Sequence, residues 1–386
     1  MKILYVMNNA FAKGNGLSAS CLRTVKYLRE AGEDVRLLTQ YGEDGEQPDY
    51  ALKDKTIPIF DGLVHKQGYS FAKADDDVIR EAVRWADVIH LEEPFFLQIH
   101  VCRIAAEEQK PLTATYHLHP ENLYSSIHLG KDPALNQTTM LFWRDAVFNH
   151  CRIIQCPTEN VRQRLVRWHF RPELRVISNG MIPTTAEPLP DAEKEPGVYN
   201  VITTGRYSVE KDQITLLRAM RYSAFADRIR LILAGRGPIE AKLKSEADQL
   251  VREGILKYPP VFGFYSLQEL LALYARADLY IHCAVVEVEG LSCMEAIRTG
   301  LVPVIAEGKL TATSQFALDE QSLYPAQNAE ELARRIDHWL SDDGRREKEA
   351  ARYLSAGEQY DIRNSIVSLQ QMYRDAVAMG SSPKEE

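Results

Sequence analysis

The sequence has no stretch of about 18 consecutive apolar residues, the length a bilayer-spanning helix requires, so no membrane span is expected. Cysteine is sparse for 386 residues: the six, Cys21, Cys102, Cys151, Cys156, Cys283 and Cys293, form no CxxC pair and no zinc-finger spacing. Reduced thiols in a cytoplasmic compartment are expected, and neither a disulfide framework nor a metal site is legible. Positive charge is in deficit, with 46 Lys and Arg against 54 Asp and Glu for a net −8. A nucleic-acid partner held by bulk electrostatics is disfavoured, and any bound phosphate must be gripped locally. The opening run Ile3–Met7 is too short for a secretory segment and reads as a strand. Solenoid-length repeats and low-complexity tracts are absent.

What the chain does have is alternation. Short apolar runs at 3–7, 35–39, 88–91, 112–116 and 153–156 are separated by helix-like segments, and a second series follows at 201–204, 231–234, 261–263, 279–282 and 302–305. That pattern predicts two α/β units, each a parallel sheet flanked by helices. The segment 183–197 holds four prolines and no periodic apolar face, so it reads as a connector between a first domain over 1–182 and a second over 198–360. The last stretch, 361–386, begins with helical periodicity.

Open parallel sheets bind ligands beyond the carboxyl ends of their strands, which directs attention to the residues after each apolar run. In FAKGNGLSAS, Gly14 and Gly16 precede a helix, with Ala19 where a third glycine would complete GxGxxG. The pattern suits either backbone approach to an anion or an ordinary strand-to-helix turn. In TTGRYSVEKDQ, Arg206 and Lys211 flank a turn, two cations that suit a diphosphate although exposed Arg and Lys are common. In LYIHCAVVEVEGLSCMEAIRTGLVPV, Glu287 lies in a loop, a helix begins at Gly290 or Leu291, and Glu295 lies one turn in. Gly290, Leu291 and Ser292 would offer free N–H groups there. Treating Glu289 and Glu295 as acids that satisfy a helix dipole leaves Glu287 unexplained. His117, in TATYHLHPENLY, is open to three readings: a sugar contact, a structural histidine, or with His119 half of a metal site. The segment 161–175 carries five arginines beside Trp168 and Phe170, and is either a solvated basic face or a contact for an anionic surface.

EVEGLSCMEAIRTGLVPV resembles the E-x7-E motif of the retaining family 4 glycosyltransferases. GRYSVEKD, LILAGRGP, GFYSLQELLALYARADLYIH and YPAQNAEELARRI extend the likeness over the second unit, and the KGNG loop, TYH, CPTENVRQRL and VISNG carry it through the first. The resemblance implies a GT-B fold, two Rossmann-like domains facing a central cleft, with the acceptor mainly on the first, a nucleotide-sugar donor on the second, and the final helix crossing back to the first. It further implies that Arg206 and Lys211 neutralise the donor diphosphate, with Gly16 approaching it. Leu291 and Ser292 give backbone N–H groups to the phosphates, Glu295 takes the ribose, and Gly263, Phe264 and the chain to Ser266 line the nucleobase pocket. Glu287 and His117 meet the transferred sugar. No metal and no further cofactor are implied, the nucleotide sugar being a co-substrate.

UDP-glucose is the first expectation for the donor, with UDP-galactose, UDP-N-acetylglucosamine and GDP-mannose as alternatives. EVEGL and TYH look similar to diacylglycerol glucosyltransferases, which implies a lipid acceptor and peripheral contact with an anionic inner membrane face. A saccharide acceptor in capsule or wall synthesis is the alternative. Two departures stand out: VISNGMIP has no aspartate after Met181, and AEGKLTATSQF replaces a glycine-rich acidic loop. A donor-binding protein without transfer activity and a nicotinamide oxidoreductase are the competing classes. The second is weakened by Thr39 and Gln40, which stand where an acid should close the second strand.

Overall fold

The opening strand β1 (Lys2–Val6) is buried from Ile3 onward, as expected for the centre of a parallel sheet covered on both faces. The computed structural model describes residues 1–13, 15–55, 70–125, 129–130, 132–182 and 195–379. Gly14 and most of the expected connector, residues 183–194, therefore lie outside the described residues. The chain divides into two units: Met1–Leu123 with Lys131–Gly180 and Ile362–Glu386, and Tyr124–Gly130 with Met181–Asp361.

In the first unit, β1 is followed by β2 (Asp34–Gln40), β3 (Tyr50–Leu52), β4 (Asp54–Lys55), β5 (Phe71–Ala72), β6 (Val88–Leu91), β7 (Leu112–Thr115), β8 (Ile153–Cys156) and β9 (Glu173–Val176). Seven of these form a parallel sheet in the order β3-β2-β1-β6-β7-β8-β9, while β4 and β5 pair antiparallel. The edge strands β3 and β9 escape a reading based on apolar runs, because β3 has three residues and β9 (ELRV) is only partly buried. The helix Gly16–Glu30 starts where Asn15 caps it, its side chain accepting from the Leu17 N–H at 2.9 Å.

The final helix, Ile362–Ala378, is part of this unit. Ile362, Ile366, Leu369, Met372, Tyr373 and Ala376 share a core with Ile3, Tyr5, Cys21 and Val25, and the Tyr373 and Tyr5 hydroxyls meet at 2.5 Å. Each large apolar side chain buried there contributes about 1.5–3 kcal/mol.

The second unit is a six-stranded parallel sheet, ordered β12-β11-β10-β13-β14-β15. Its strands are β10 (Tyr199–Thr204), β11 (Ile229–Ala234), β12 (Val261–Gly263), β13 (Leu279–His282), β14 (Pro303–Glu307) and β15 (Leu323–Pro325). Strand order reverses between β10 and β13, and in the first unit between β1 and β6. At such a switch point the two outgoing loops diverge and leave a crevice, so the loops after β10 and β13 are the natural ligand site of this sheet.

Candidate functional site

Those two loops carry most of the residues singled out in the sequence. After β10 the chain runs through Gly205 and Arg206 into a 3-10 turn, Val209–Lys211, and then, from Asp212 in a left-handed conformation, into the helix Gln213–Ala219. Close packing fixes the loop's backbone: a Cβ on Gly235 would stand 2.0 Å from the Gly205 carbonyl oxygen, so the loops after β10 and β11 touch only because LILAGRGP has glycine there. The Arg206 carbonyl accepts from Gln213 Nε2 at 2.8 Å. The Arg206 side chain is half-buried, and its Nη2 is buried without a hydrogen-bond partner. A buried guanidinium nitrogen in that state is a donor awaiting an acceptor.

After β13 the loop is pinned on both sides by main-chain bonds. Val285 N–H donates to the Glu210 carbonyl at 2.8 Å, Glu287 N–H to the Leu310 carbonyl at 2.7 Å, and Ala312 N–H back to the Glu287 carbonyl at 3.1 Å. These bonds carry Glu287 onto Lys211, and the two side chains form an ion pair. His282 Nε2 lies 3.5 Å from the same Glu287 oxygen. Burial pushes the Glu287 carboxyl up, but Lys211 and His282 overcome it and hold the group well below the usual carboxylate range. Burial also lowers the His282 pKa, against the opposing pull of Glu287, and so disfavours its charged form.

Gly290 then adopts a left-handed φ of 91°, and a Cβ there would lie 2.5 Å from Thr313 Oγ1. The helix Leu291–Arg298 follows, its first-turn N–H groups at Leu291 and Ser292 available for an anion. Ser292 Oγ is tied to the Tyr280 hydroxyl at 2.9 Å, and Glu295 is half-buried on the next turn. Thr313, from the loop whose sequence departs from the family pattern, stands 3.3 Å from both His282 Nε2 and the Glu289 carbonyl. The segment with the unusual sequence therefore buttresses the histidine behind Glu287. At the end of β12, the Gly263 carbonyl accepts from Gly235 N–H at 2.6 Å, and exposed Phe264 lies under the Arg236 guanidinium, 4.2 Å from its ring centre.

In the first unit Gly16 is exposed with open space around it. His117, two residues past β7, brings Nε2 to 2.7 Å from Glu92 Oε2, while His119 is fully buried on Tyr116, their rings 5.4 Å apart. Glu92 and Glu93 directly follow β6 and are both buried. Burial pushes Glu92 up, yet His117 and His90 bring it down to about 2, whereas for Glu93 burial wins and raises it to about 7. Glu93 Oε2 accepts from both Asn8 N–H (2.7 Å) and Asn8 Nδ2 (2.6 Å), which holds the root of the loop that leads to Gly16. Thr39 and Gln40 secure the same region: Ala10 N–H donates to Thr39 Oγ1 at 2.9 Å, and Gln40 Nε2 to the Phe71 carbonyl at 2.7 Å. Of the five arginines in 161–175, Arg162, Arg164 and Arg175 are paired with Glu159, Glu121, and Glu173 with Asp375; Arg167 and Arg171 are exposed. Phe170 is buried beside Phe148 and Tyr116. Among the described residues no group of three or more His, Cys, Asp or Glu has metal-binding geometry, and no helix is long and apolar enough to cross a membrane.

Two parallel α/β units define the class, and the crystal structure of Anabaena HepE in complex with UDP-glucose matches this chain with a TM-score of 0.74 at 16% identity, covering 97% of this chain and 100% of that one. The fold is GT-B. Two family models match in tandem, one described as Glycosyltransferase Family 4 over residues 14–184 and one as Glycosyl transferases group 1 over 189–357. The chain is 24% identical over 326 residues to the alpha-monoglucosyldiacylglycerol synthase of Streptococcus pneumoniae, covering 80% of this chain and 71% of that one. It is 23% identical over 396 residues to the phosphatidyl-myo-inositol mannosyltransferase of Mycobacterium leprae, covering 99% and 98%. The chain belongs to the family 4 glycosyltransferases.

Proposed function

We propose that the chain is a retaining, metal-independent glycosyltransferase that moves a hexose, glucose in the first instance, from UDP-glucose to a hydroxyl of a lipid acceptor such as diacylglycerol. The observation that carries this reading is the buried, unpartnered Arg206 Nη2 on the loop that also carries Lys211, the partner of Glu287, at the switch point of the second sheet. A diphosphate there meets a forked cation, a mobile ammonium and the N–H groups of Leu291 and Ser292. Fixed charge of this kind can absorb the negative charge of a leaving nucleotide without a divalent ion. In this reading Glu295 takes the ribose, Gly263 to Ser266 with Phe264 take the base, and Gly16 approaches the diphosphate. Glu287 and His117 meet the sugar.

The acceptor hydroxyl attacks the anomeric carbon as the bond from that carbon to the phosphate oxygen breaks, and the departing phosphate takes the hydroxyl proton. Retention follows from attack on the face the phosphate leaves. Glu287 is paired with a lysine rather than poised across the sugar from an acid, so it serves as a contact and not as a nucleophile. The lipid acceptor rests on the names of the two relatives, and glucose on the donor bound to HepE. Peripheral contact with an anionic inner membrane face is part of the proposal, and Arg167 and Arg171 are the arginines of 161–175 left exposed for it.

The test is an incubation with UDP-glucose and diacylglycerol vesicles in excess chelator, with NMR of the product. An α-glucosyl lipid is expected. A β-linked product would remove retention, dependence on added metal would remove metal independence, and exclusive transfer to a saccharide or from GDP-mannose would replace the acceptor or the donor.

A further inference from the structure

Glu92 follows β6, and its N–H donates to the Val6 carbonyl at 3.1 Å; His117 follows the neighbouring β7, which pairs with β6 through Leu91 and Ala114. The Glu92 side chain is 4% exposed, a poor place for a carboxylate unless other groups compensate its charge. Two imidazoles face it: His117 Nε2 lies 2.7 Å from Oε2, and His90 Nε2 lies 3.4 Å from Oε1. His90 is itself immobilised. Its Nδ1 is 2.9 Å from Thr113 Oγ1 and its Nε2 2.9 Å from Thr115 Oγ1, and its ring packs at a tilt against Tyr5 at 4.7 Å and meets Tyr373 edge-on at 5.5 Å. The wall behind Glu92 is thus fixed by two strands and the final helix, and the carboxylate has one movable partner, His117.

We infer that Glu92 is a positioning residue for His117, holding the proton on Nε2 and turning Nδ1 toward the substrate as a hydrogen-bond acceptor. An ionised carboxylate only accepts, so the ring nitrogen beside it carries hydrogen in either protonation state of the imidazole. The His117 Nε2–Glu92 Oε2 approach lies off the line of a good hydrogen bond. A small rotation of the imidazole on substrate binding completes that hydrogen bond and aims Nδ1. Carboxylate–imidazole pairs elsewhere fix tautomer and orientation in this way. The adjacent Glu93 cannot stand in for Glu92, because its carboxylate is committed to Asn8.

This inference rests on the proposed sugar contact of His117, but one of its tests does not. In the free protein, 15N-histidine NMR should show His117 as the Nε2–H tautomer, and Glu92→Ala should shift the population toward Nδ1–H. An unchanged tautomer in that variant overturns the inference whatever reaction the enzyme performs. In turnover, Glu92→Ala should lower kcat about 10- to 100-fold, with the donor KM and the affinity for UDP within about twofold, since the nucleotide is assigned to the second unit. Glu92→Gln, which keeps an acceptor oxygen and the same volume, should recover most of the loss and serves if the alanine variant does not fold. Equal losses in kcat and UDP affinity, or no rescue by glutamine, would make Glu92 merely structural. If the wild-type protein transfers no sugar, the proposed function fails while the tautomer result still decides the pairing.

Discussion

Lys211 and Glu287, 76 residues apart in sequence, are paired through the Glu287 oxygen that His282 Nε2 approaches at 3.5 Å. In the proposed donor site the lysine is therefore already partly neutralised, and an incoming diphosphate would share it with the carboxylate. Glu287→Ala should lower turnover about 10²- to 10³-fold, the scale of losing one charge-stabilising contact in a transition state. UDP affinity should stay the same or rise, because Lys211 is released. Full activity in this variant would remove Glu287 from the sugar contact.

Arg206 tests the anion site from the opposite side. With Nη2 buried and unpartnered in the free protein, the guanidinium costs stability on the order of 1 kcal/mol until a ligand arrives. Arg206→Met should leave the free protein as stable as wild type or more so, while abolishing the thermal stabilisation by UDP. A melting scan with and without nucleotide distinguishes this from a structural arginine, whose loss would lower the melting temperature in both conditions.

The final helix predicts a dependence of the first unit on the chain's last residues. Leu369 is 2% exposed in the core shared with Ile3 and Tyr5, so Leu369→Ala should cost about 2–4 kcal/mol. Denaturant unfolding followed by hydrogen exchange should place the loss in the first sheet. A loss confined to β10–β15 would contradict the assignment of that helix to the first unit.

Glu93 gives a pH signature. Burial raises its carboxyl from 4.5 to about 7, with Glu92 adding to the shift and Asn8 and Gln98 opposing it. A group held above its unfolded value favours folding at low pH, and that contribution disappears as pH rises through about 7. Glu93→Gln keeps an oxygen for Asn8 without the charge. Its stability relative to wild type should therefore improve between pH 4.5 and 8 by about 3 kcal/mol. A pH-independent difference would show that Glu93 does not titrate in this range.

Much of this architecture was legible because its central strands are short, wholly buried runs. Val88–Leu91 and Leu279–His282 start and stop where the sequence pattern alone puts them. Three of the four edges of the parallel sheets were not legible, β3 and β15 having only three residues and β9 being half-exposed, whereas the edge strand β12 was found from its sequence. The positions of Arg206, Lys211 and Glu287 in loops and of Glu295 on the following helix could be found from motif spacing, since all follow strand ends. His282, Thr313 and Glu92 were missed for a common reason. Each meets its partner across a gap in sequence, Thr313 reaching His282 and Glu92 reaching His117, which spacing along one chain does not reveal. The pair of acids in HLEEP, directly after a buried strand, was the one available signal for Glu92.

The most direct test is a crystal structure with UDP bound. The diphosphate oxygens should lie within hydrogen-bonding distance of Arg206, Lys211 and the N–H groups of Leu291 and Ser292, with the ribose on Glu295. A nucleotide seated on the first sheet, or on the second with Arg206 Nη2 still unpartnered, would contradict the account.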